Sequence, residues 1–341
     1  MARGRWIMDG SIPTIDDVAK LAGVSISTVS RVINGTVPVS EGALRRVEAA
    51  MRDLQYVPRA AARNLASRRT HTLGLLLSEI RGDFFGPLLM GIEDVAHAEG
   101  YDLLISTAGR RGSHVELPGW LGRHNTDGLL VFAGALKEAG LVQASVLPMV
   151  LIHESPPPAL SIPCVTIENK NAARAIVEHL ITVHGRQRIA LLQGPADNED
   201  AYWREMGYRE ALDQYNLPFD PALVAPGNFD REAAQASVAQ LLADRVDFDA
   251  IFTSDDEAAV GALRALQEVG RRVPEEAAVV GFDDQRLAAV LNPPLTTVYA
   301  PTEEVGRVAA RELFCLMRTG EAEPLTLLPT ELVIRRSCGC G

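Results

Sequence analysis

Cysteine is scarce in this chain: four in 341 residues, at Cys164, Cys315, Cys338 and Cys340. Cys164 and Cys315 stand singly in apolar segments and read as reduced structural thiols. The Cys338-Gly339-Cys340 tail is a lone CxC without a partner pair, a weak metal or redox signal. The seven histidines are dispersed, with no HxxxH-type pairing, so no metal ligands and no cofactor are expected. Neither a Gly-rich phosphate loop nor a nucleophile elbow occurs, which sets catalysis aside. Asp255-Asp256-Glu257 and Asp283-Asp284 read as helix caps or sugar ligands rather than metal carboxylates. Long apolar runs are missing too: nothing approaches the ~20 residues of a membrane span. The N-terminus carries Arg3 and Arg5 but no apolar signal core, and either Met1 or Met8 could be the start. These absences point to a reducing, cytoplasmic protein.

What is present is ordinary in amount and uneven in place. Apolar residues make up 47% and charged residues 23%, values of a soluble globular protein long enough for two or three domains. The net charge of −11 argues against a nucleic-acid partner until it is mapped. Residues 1–71 hold eleven basic and six acidic side chains, net +5, so the remainder carries −16. A basic head joined to an acidic body is the expected reading.

The head reads as three short helices. Thr14 with Asp17 makes a capping-box-like start, Val18, Ala19, Leu21 and Ala22 supply the buried stripe, and Gly23 ends the helix. Ser25 caps a second helix that turns Val29, Val32 and Ile33 inward and ends near Asn34-Gly35. Ser40 caps a third, with Leu44, Val47, Met51 and Leu54 at helical spacing. Two helices joined by a short turn containing Gly form a helix-turn-helix.

From Leu73 the texture changes to apolar strands alternating with amphipathic helices. Strands are expected at 73–77, 103–106, 128–132, 149–153, 165–168, 189–193, 250–253 and 278–283. Helices are expected at 86–99, 171–183, 204–215, 231–242, 257–269 and 303–317. This pattern implies α/β architecture with two doubly wound parallel-sheet lobes and a ligand cleft between them, beyond the carboxyl ends of the strands.

The stretch "TIDDVAKLAGVSISTVSRVIN" (Thr14–Asn34) closely resembles the head of the LacI/GalR family of bacterial transcription regulators. The likeness continues through "VSEGALRRVEAAMRDLQYVPRAAARNLASRRTHTLGLL", "DGLLVF", "REMGYREAL", "FTSDDEAAVGALRAL", "VPEEAAVVGFDD" and "PPLTTVYAP", and covers nearly all of Thr14 to Arg336. It implies an all-α helix-turn-helix head and hinge helix followed by a periplasmic-binding-protein-like body. Ser25–Asn34 matches the recognition helix, in which Ile26 and Ser27 stand where the family chooses operators and Arg31 can reach a base edge. Thr14, Ser25, Thr28, Ser30 and Asn34 are short polar groups suited to phosphates. Ile26 departs from the polar residue often found there and suggests an apolar contact such as a thymine methyl. Pro58 to Ala66 matches the hinge helix, too short to be stable alone, and Leu65 aligns with the leucine that wedges into the minor groove.

In the body, the family's pocket positions map onto Phe84, Phe85, Arg204, Phe229, Asp255 and Asp283. Aromatic rings there would stack on a sugar or base, while the carboxylates and arginine bond hydroxyls. His153-Glu154 and Glu168 depart from the aspartates of many relatives. Asp200 and Tyr202 flank the pocket arginine without a family match, Ala300 replaces a polar side chain, and 109–126 is shorter and more basic than usual. Implied domains are an extension at 1–11, a head at 12–57, a hinge at 58–71, a body at 72–337 and a tail at 338–341. The N-lobe is expected at about 72–168 and 299–325, the C-lobe at 169–298 and 326–337. The expected partners are a palindromic double-stranded operator, a sugar-like effector and a second copy of the chain, with no membrane and no tetramerising tail. A family member read by a protein co-regulator and, less favoured, a sugar-binding transport protein are the alternatives.

Overall fold

The computed structural model describes residues 13–34, 38–56, 69–80, 82–108 and 116–341. The expected hinge helix, including Leu65, and the side chain of Asn34 lie outside the described residues. The chain divides into two compact units, 1–71 and 72–341.

The first unit is built from α1 (Ile15–Ala22), α2 (Ile26–Asn34) and α3 (Glu41–Asp53). Thr14 and Asp17 form a full capping box: the Thr14 hydroxyl accepts from the Asp17 amide, and the Asp17 carboxylate accepts from the Thr14 amide at 2.8 Å. Gly23 closes α1 at φ 62°, a left-handed conformation that suits a residue without Cβ. Val18, Ala19, Ala22, Val29, Val47 and Ala50 make the core of the unit, flanked by Val32, Ile33, Met51 and Leu54. One expectation fails. Leu21 is 52% exposed, because Val18, Ala19 and Ala22 already fill the narrow inward face of this two-turn helix. Ser40 precedes α3 as expected, but its backbone carbonyl, not its side chain, meets the Ala43 and Leu44 amides.

The second unit holds two parallel sheets. Six strands form the first: β1 (Thr72–Leu77), β2 (Asp102–Thr107), β3 (Gly128–Phe132), β4 (Met149–Ile152), β5 (Cys164–Ile167) and β11 (Leu325–Leu328), in spatial order β11-β5-β4-β3-β1-β2. The other sheet is β7-β6-β8-β9, from β6 (Ile189–Gln193), β7 (Val224–Pro226), β8 (Ala250–Thr253) and β9 (Ala278–Val280). Strands such as β3 and β4 are buried throughout, which is why they read as unbroken apolar runs. A short antiparallel pair, β10 (Thr297–Tyr299) with β12 (Glu331–Val333), accompanies the two crossings that bring the chain back between lobes. The lobe boundary therefore differs from the expected one. Leu325–Leu328 pairs in register with Cys164–Ile167 in the first sheet, so the chain leaves that lobe after residue 328 and not at 325.

The helices of this unit are α4 (Phe85–Ala98), α5 (Glu138–Ala144), α6 (Lys170–His184), α7 (Glu199–Gln214), α8 (Arg231–Ala243), α9 (Asp256–Glu268) and α10 (Thr302–Thr319). α7 begins at Glu199, five residues before the expected start. The Asn198 side chain caps it by accepting from the Ala201 amide at 2.9 Å. Helices α4 and α10 cross at Gly91 and Gly306: a Cβ on Gly306 would stand 2.3 Å from the Leu88 carbonyl oxygen. Among the described residues no helix is long and apolar enough to cross a membrane.

Candidate functional site: a recognition helix and an interlobe cleft

In the head, α2 buries Val29 and turns Ile26, Ser27 and Arg31 outward. Ile26 is 48% exposed, an apolar side chain held in water for no internal reason. The Ser25 hydroxyl accepts from the Thr28 amide at 3.2 Å and shares hydrogen bonds with the hydroxyls of Ser27 (2.8 Å) and Thr28 (2.9 Å). These three hydroxyls gather at the positive end of the α2 dipole, a place that favours an anion. The Thr14 hydroxyl donates to the Asp17 carboxylate at 2.7 Å as part of the α1 cap, so contact with a phosphate would have to share or displace that bond. Arg46 ties the base of the motif together, donating from Nε to the Ala22 carbonyl at 3.1 Å.

In the body, the strand ends of both sheets converge on one polar cluster. Arg204 lies on α7 and is 3% exposed. Its Nε donates to Asn169 Oδ1 at 2.8 Å and its Nη1 to the Ser254 carbonyl at 2.5 Å. Nη1 also stands 3.2 Å from Asp283 Oδ1, an ion pair out of hydrogen-bond alignment. The guanidinium lies over the Phe282 ring at 3.8 Å and within 5.8 Å of Phe229. Asp255 follows β8 and caps α9, accepting from the Ala258 amide at 2.9 Å. Asp283 follows β9 at φ 104°, its loop held by Asp256 behind it. The Asp256 carboxylate accepts from the Gln285 amide at 2.8 Å and from the Thr297 hydroxyl at 2.6 Å.

Phe84 packs edge-to-face on Phe85, Phe132 and His153, with centroids 5.3, 5.8 and 5.9 Å apart. Phe85 itself belongs to the hydrophobic core. Phe84 is half-buried, as is Phe229, which adopts a positive φ of 55° beside Gly194. The structure thus brings Arg204, Phe229, Asp255 and Asp283 to one polar cluster, with Phe84 beside His153, and sets Phe85 behind them.

Sequence reasoning missed Asn169 and left two further members of the cluster, His153 and Asp200, without a role. His153 Nδ1 lies 2.7 Å from Asp200 Oδ2, joining the end of β4 to α7 across the cleft. Asn169 Nδ2 donates to the other Asp200 oxygen at 2.7 Å. Burial alone would raise the Asp200 carboxyl, but His153 and Arg204 outweigh it and hold the group below its ordinary range. The signal was present as Asp200-x-x-x-Arg204, one helical turn apart, and became readable only with the true start of α7. A second cross-cleft link pairs Ser155 with Glu199, amide to carboxylate at 2.6 Å and hydroxyl to carboxylate at 2.7 Å.

Burial dominates the electrostatics of the cluster. Burial, reinforced by Asp283, pushes the Asp255 carboxyl up to about 8. Burial likewise raises Asp283, against the pull of Arg204. Around the cluster, the buried atoms His153 Nε2, Ser254 Oγ, Asp283 Oδ1 and Gln285 Oε1 find no hydrogen-bond partner among the described residues. Each such atom costs about 1–3 kcal/mol until something bonds it. A cavity of 330 Å³ lined by Glu168, Asn169, Asp200 and Trp203 adjoins the cluster.

A helix-turn-helix unit, in one chain with a two-lobed unit whose strand ends converge on unsatisfied polar groups, defines the class of ligand-responsive DNA-binding regulators. Residues 14–59 match the bacterial regulatory proteins of the lacI family, and residues 177–338 match a periplasmic binding protein-like domain. The HTH-type transcriptional regulator CelR of Thermobifida fusca is 36% identical over 95% of this chain and 98% of its own. The ribose operon repressor of Escherichia coli is 34% identical over 87% of this chain and 90% of its own. Among solved structures, the lac repressor dimer bound to operator and the anti-inducer ONPF superposes with a TM-score of 0.79 at 27% identity, covering 96% of this chain and 99% of that one. A CelR–cellobiose complex superposes at 0.71, with 34% identity over 95% and 99% of the two chains. The chain belongs to the LacI family of bacterial transcriptional regulators, and it is a sequence-specific DNA-binding protein.

Proposed function

We propose that this regulator is a cytoplasmic homodimeric repressor whose operator affinity is set by a neutral sugar held between the two lobes. The observation that carries the reading is the presence in one cluster of His153 Nε2 and Ser254 Oγ, both without a hydrogen-bond partner, the buried Asp283 carboxylate held by Arg204, and the half-buried rings of Phe84 and Phe229. A sugar offers hydroxyls to the first set and an apolar ring face to the second. With its carboxyl near 8, Asp255 is largely protonated at neutral pH and can donate a hydrogen bond as well as accept one. CelR with bound cellobiose and the LacI-family regulator of Enterococcus faecium with bound ribose are relatives of this fold that hold sugars.

On DNA, Ile26, Ser27 and Arg31 read the major groove while Thr14, Ser25, Thr28, Ser30 and Asn34 serve register, and Leu65 enters the minor groove. One recognition helix reads a half-site, so two-fold symmetry doubles it into a palindrome. Ligand acts by changing how tightly the lobes close over Arg204, the differential contact that a population shift requires.

The test is a thermal-shift screen of mono- and disaccharides on the full chain, followed by operator binding with and without each hit. A sugar at 100 times its dissociation constant stabilises by about 2.7 kcal/mol. Asp283→Ala should abolish both the shift and the operator response while leaving operator affinity unchanged. No shift with any sugar, with operator binding intact, would overturn the sugar reading in favour of a protein co-regulator.

A further inference from the structure

Away from the cleft, the chain's last turn brings together four side chains that the sequence keeps far apart. His179 and His184 lie near the end of α6, their rings edge-to-face with centroids 5.1 Å apart. Cys340, 156 residues beyond His184, places its Sγ 3.4 Å from His184 Nε2 and 3.6 Å from His179 Nε2. With Cys338 the four ligand atoms all lie within 4.8 Å of one another. All four cysteines of the chain are free thiols. We propose that His179, His184, Cys338 and Cys340 form a tetrahedral Cys2His2 site for a divalent ion of the zinc class.

The two sulfur–nitrogen separations of Cys340 agree with that coordination. Zinc–sulfur bonds of about 2.3 Å and zinc–nitrogen bonds of about 2.0–2.1 Å set tetrahedral edges of roughly 3.4–3.8 Å. Both measured sulfur–nitrogen separations fall in that interval. Two thiolates and two imidazoles select zinc over the hard, oxygen-seeking cations.

The surroundings hold the ligands in place. Cys338 is fully buried and receives a hydrogen bond from the Thr296 hydroxyl at 3.1 Å, the kind of outer partner that orients a metal-bound sulfur. Next to it the Ser337 hydroxyl donates to the Val279 carbonyl at 2.6 Å and accepts from the Thr296 amide at 2.8 Å, pinning the tail to the second sheet. Between the cysteines Gly339 adopts φ 118°, and a Cβ there would stand 2.9 Å from His184 Nδ1. Only glycine lets the tail pass this close while the ring presents its Nε2 to Cys340. As the ion enters, each thiol passes its proton to water, so binding releases two protons and changes no oxidation state. The bound ion clips the end of the chain to the end of α6.

The experiment uses the full-length protein, kept reduced, stripped with a chelator and titrated with Co2+ and then Zn2+. The expected result is one Co2+ per chain with intense visible absorption and a near-ultraviolet thiolate charge-transfer band, displaced by Zn2+. Cys340→Ser and His184→Gln, both at partly exposed positions, should each weaken Zn2+ binding on the order of a hundredfold or more, with unchanged circular dichroism. Thr296→Val should weaken it by about 10- to 100-fold, as loss of an outer partner does. Binding below one ion per chain, a weak octahedral cobalt spectrum, unchanged affinity in Cys340→Ser, or a Cys338–Cys340 disulfide that persists under reductant would overturn the site.

Discussion

At the scale of single residues, the cleft turns on the cost of burying charge. Asp255 is 4% exposed, with Asp283 the largest charged influence on its carboxyl. An ordinary carboxyl of 3.8 is raised to about 8 there, so between these values the folded chain keeps a proton that the unfolded chain releases. Stability must therefore fall as pH rises through that interval. Asp255→Asn keeps the cap on the Ala258 amide and abolishes the titration. The variant should lose part of the decline in Tm with pH, the buried Asp256 and Asp283, both raised by burial, supplying what remains; parallel curves for variant and wild type would refute this account. Asp200 titrates in the opposite sense, its contribution present at neutral pH and lost only as acid protonates it.

At the scale of elements, one helix presents its polar face outward and two others pack without room for a side chain between them. Arg31 stands on the outward face of α2, one turn beyond Ile26 and Ser27, where a guanidinium can fork to guanine. Arg31→Ala should relax discrimination at one base pair of each half-site by about 1–3 kcal/mol, read from binding to single-substitution operators. Uniform weakening on every sequence would make Arg31 a phosphate contact instead. In the body, α4 and α10 approach so closely at Gly91 and Gly306 that only hydrogen fits between them. The atom that a new Cβ would meet is a backbone carbonyl and cannot swing aside. Gly306→Ala should cost about 3 kcal/mol, measured by denaturant unfolding. A variant as stable as the wild type would show that the helices slide apart freely.

At the scale of the whole molecule, charge is divided by task. The first 71 residues carry net +5 and the rest −16, so the basic charge that can meet phosphates is concentrated in the head. Operator affinity should then fall steeply with salt, the slope of log K against log salt being about −0.9 for each phosphate neutralised. A flat dependence measured by fluorescence anisotropy would contradict a head that works through phosphates. Within the body, His153 with Asp200 and Ser155 with Glu199 link strand ends of one sheet to a helix of the other lobe. In the mechanism proposed above, these are the contacts that a ligand would strengthen or compete with.

The sequence by itself determined most of the elements and the family. The eight anticipated strands coincide with observed ones to within a few residues, and those buried on both faces, such as β3 and β4, must be apolar along their whole length. The recognition helix was legible because capping and helical spacing are local chemistry. Tertiary structure alone decided what depends on distant partners. β11 joins the first sheet only through its pairing with β5, and its alternating burial carried no comparable signal. Asp200 became a cleft residue once α7 started at Glu199 and His153 arrived from another strand. Cys338-Gly339-Cys340 remained a lone pair in sequence because its two histidines lie in a helix folded against it from far upstream. Local patterns record how a segment buries itself; the groups it meets from elsewhere are fixed only by the packing of the whole chain.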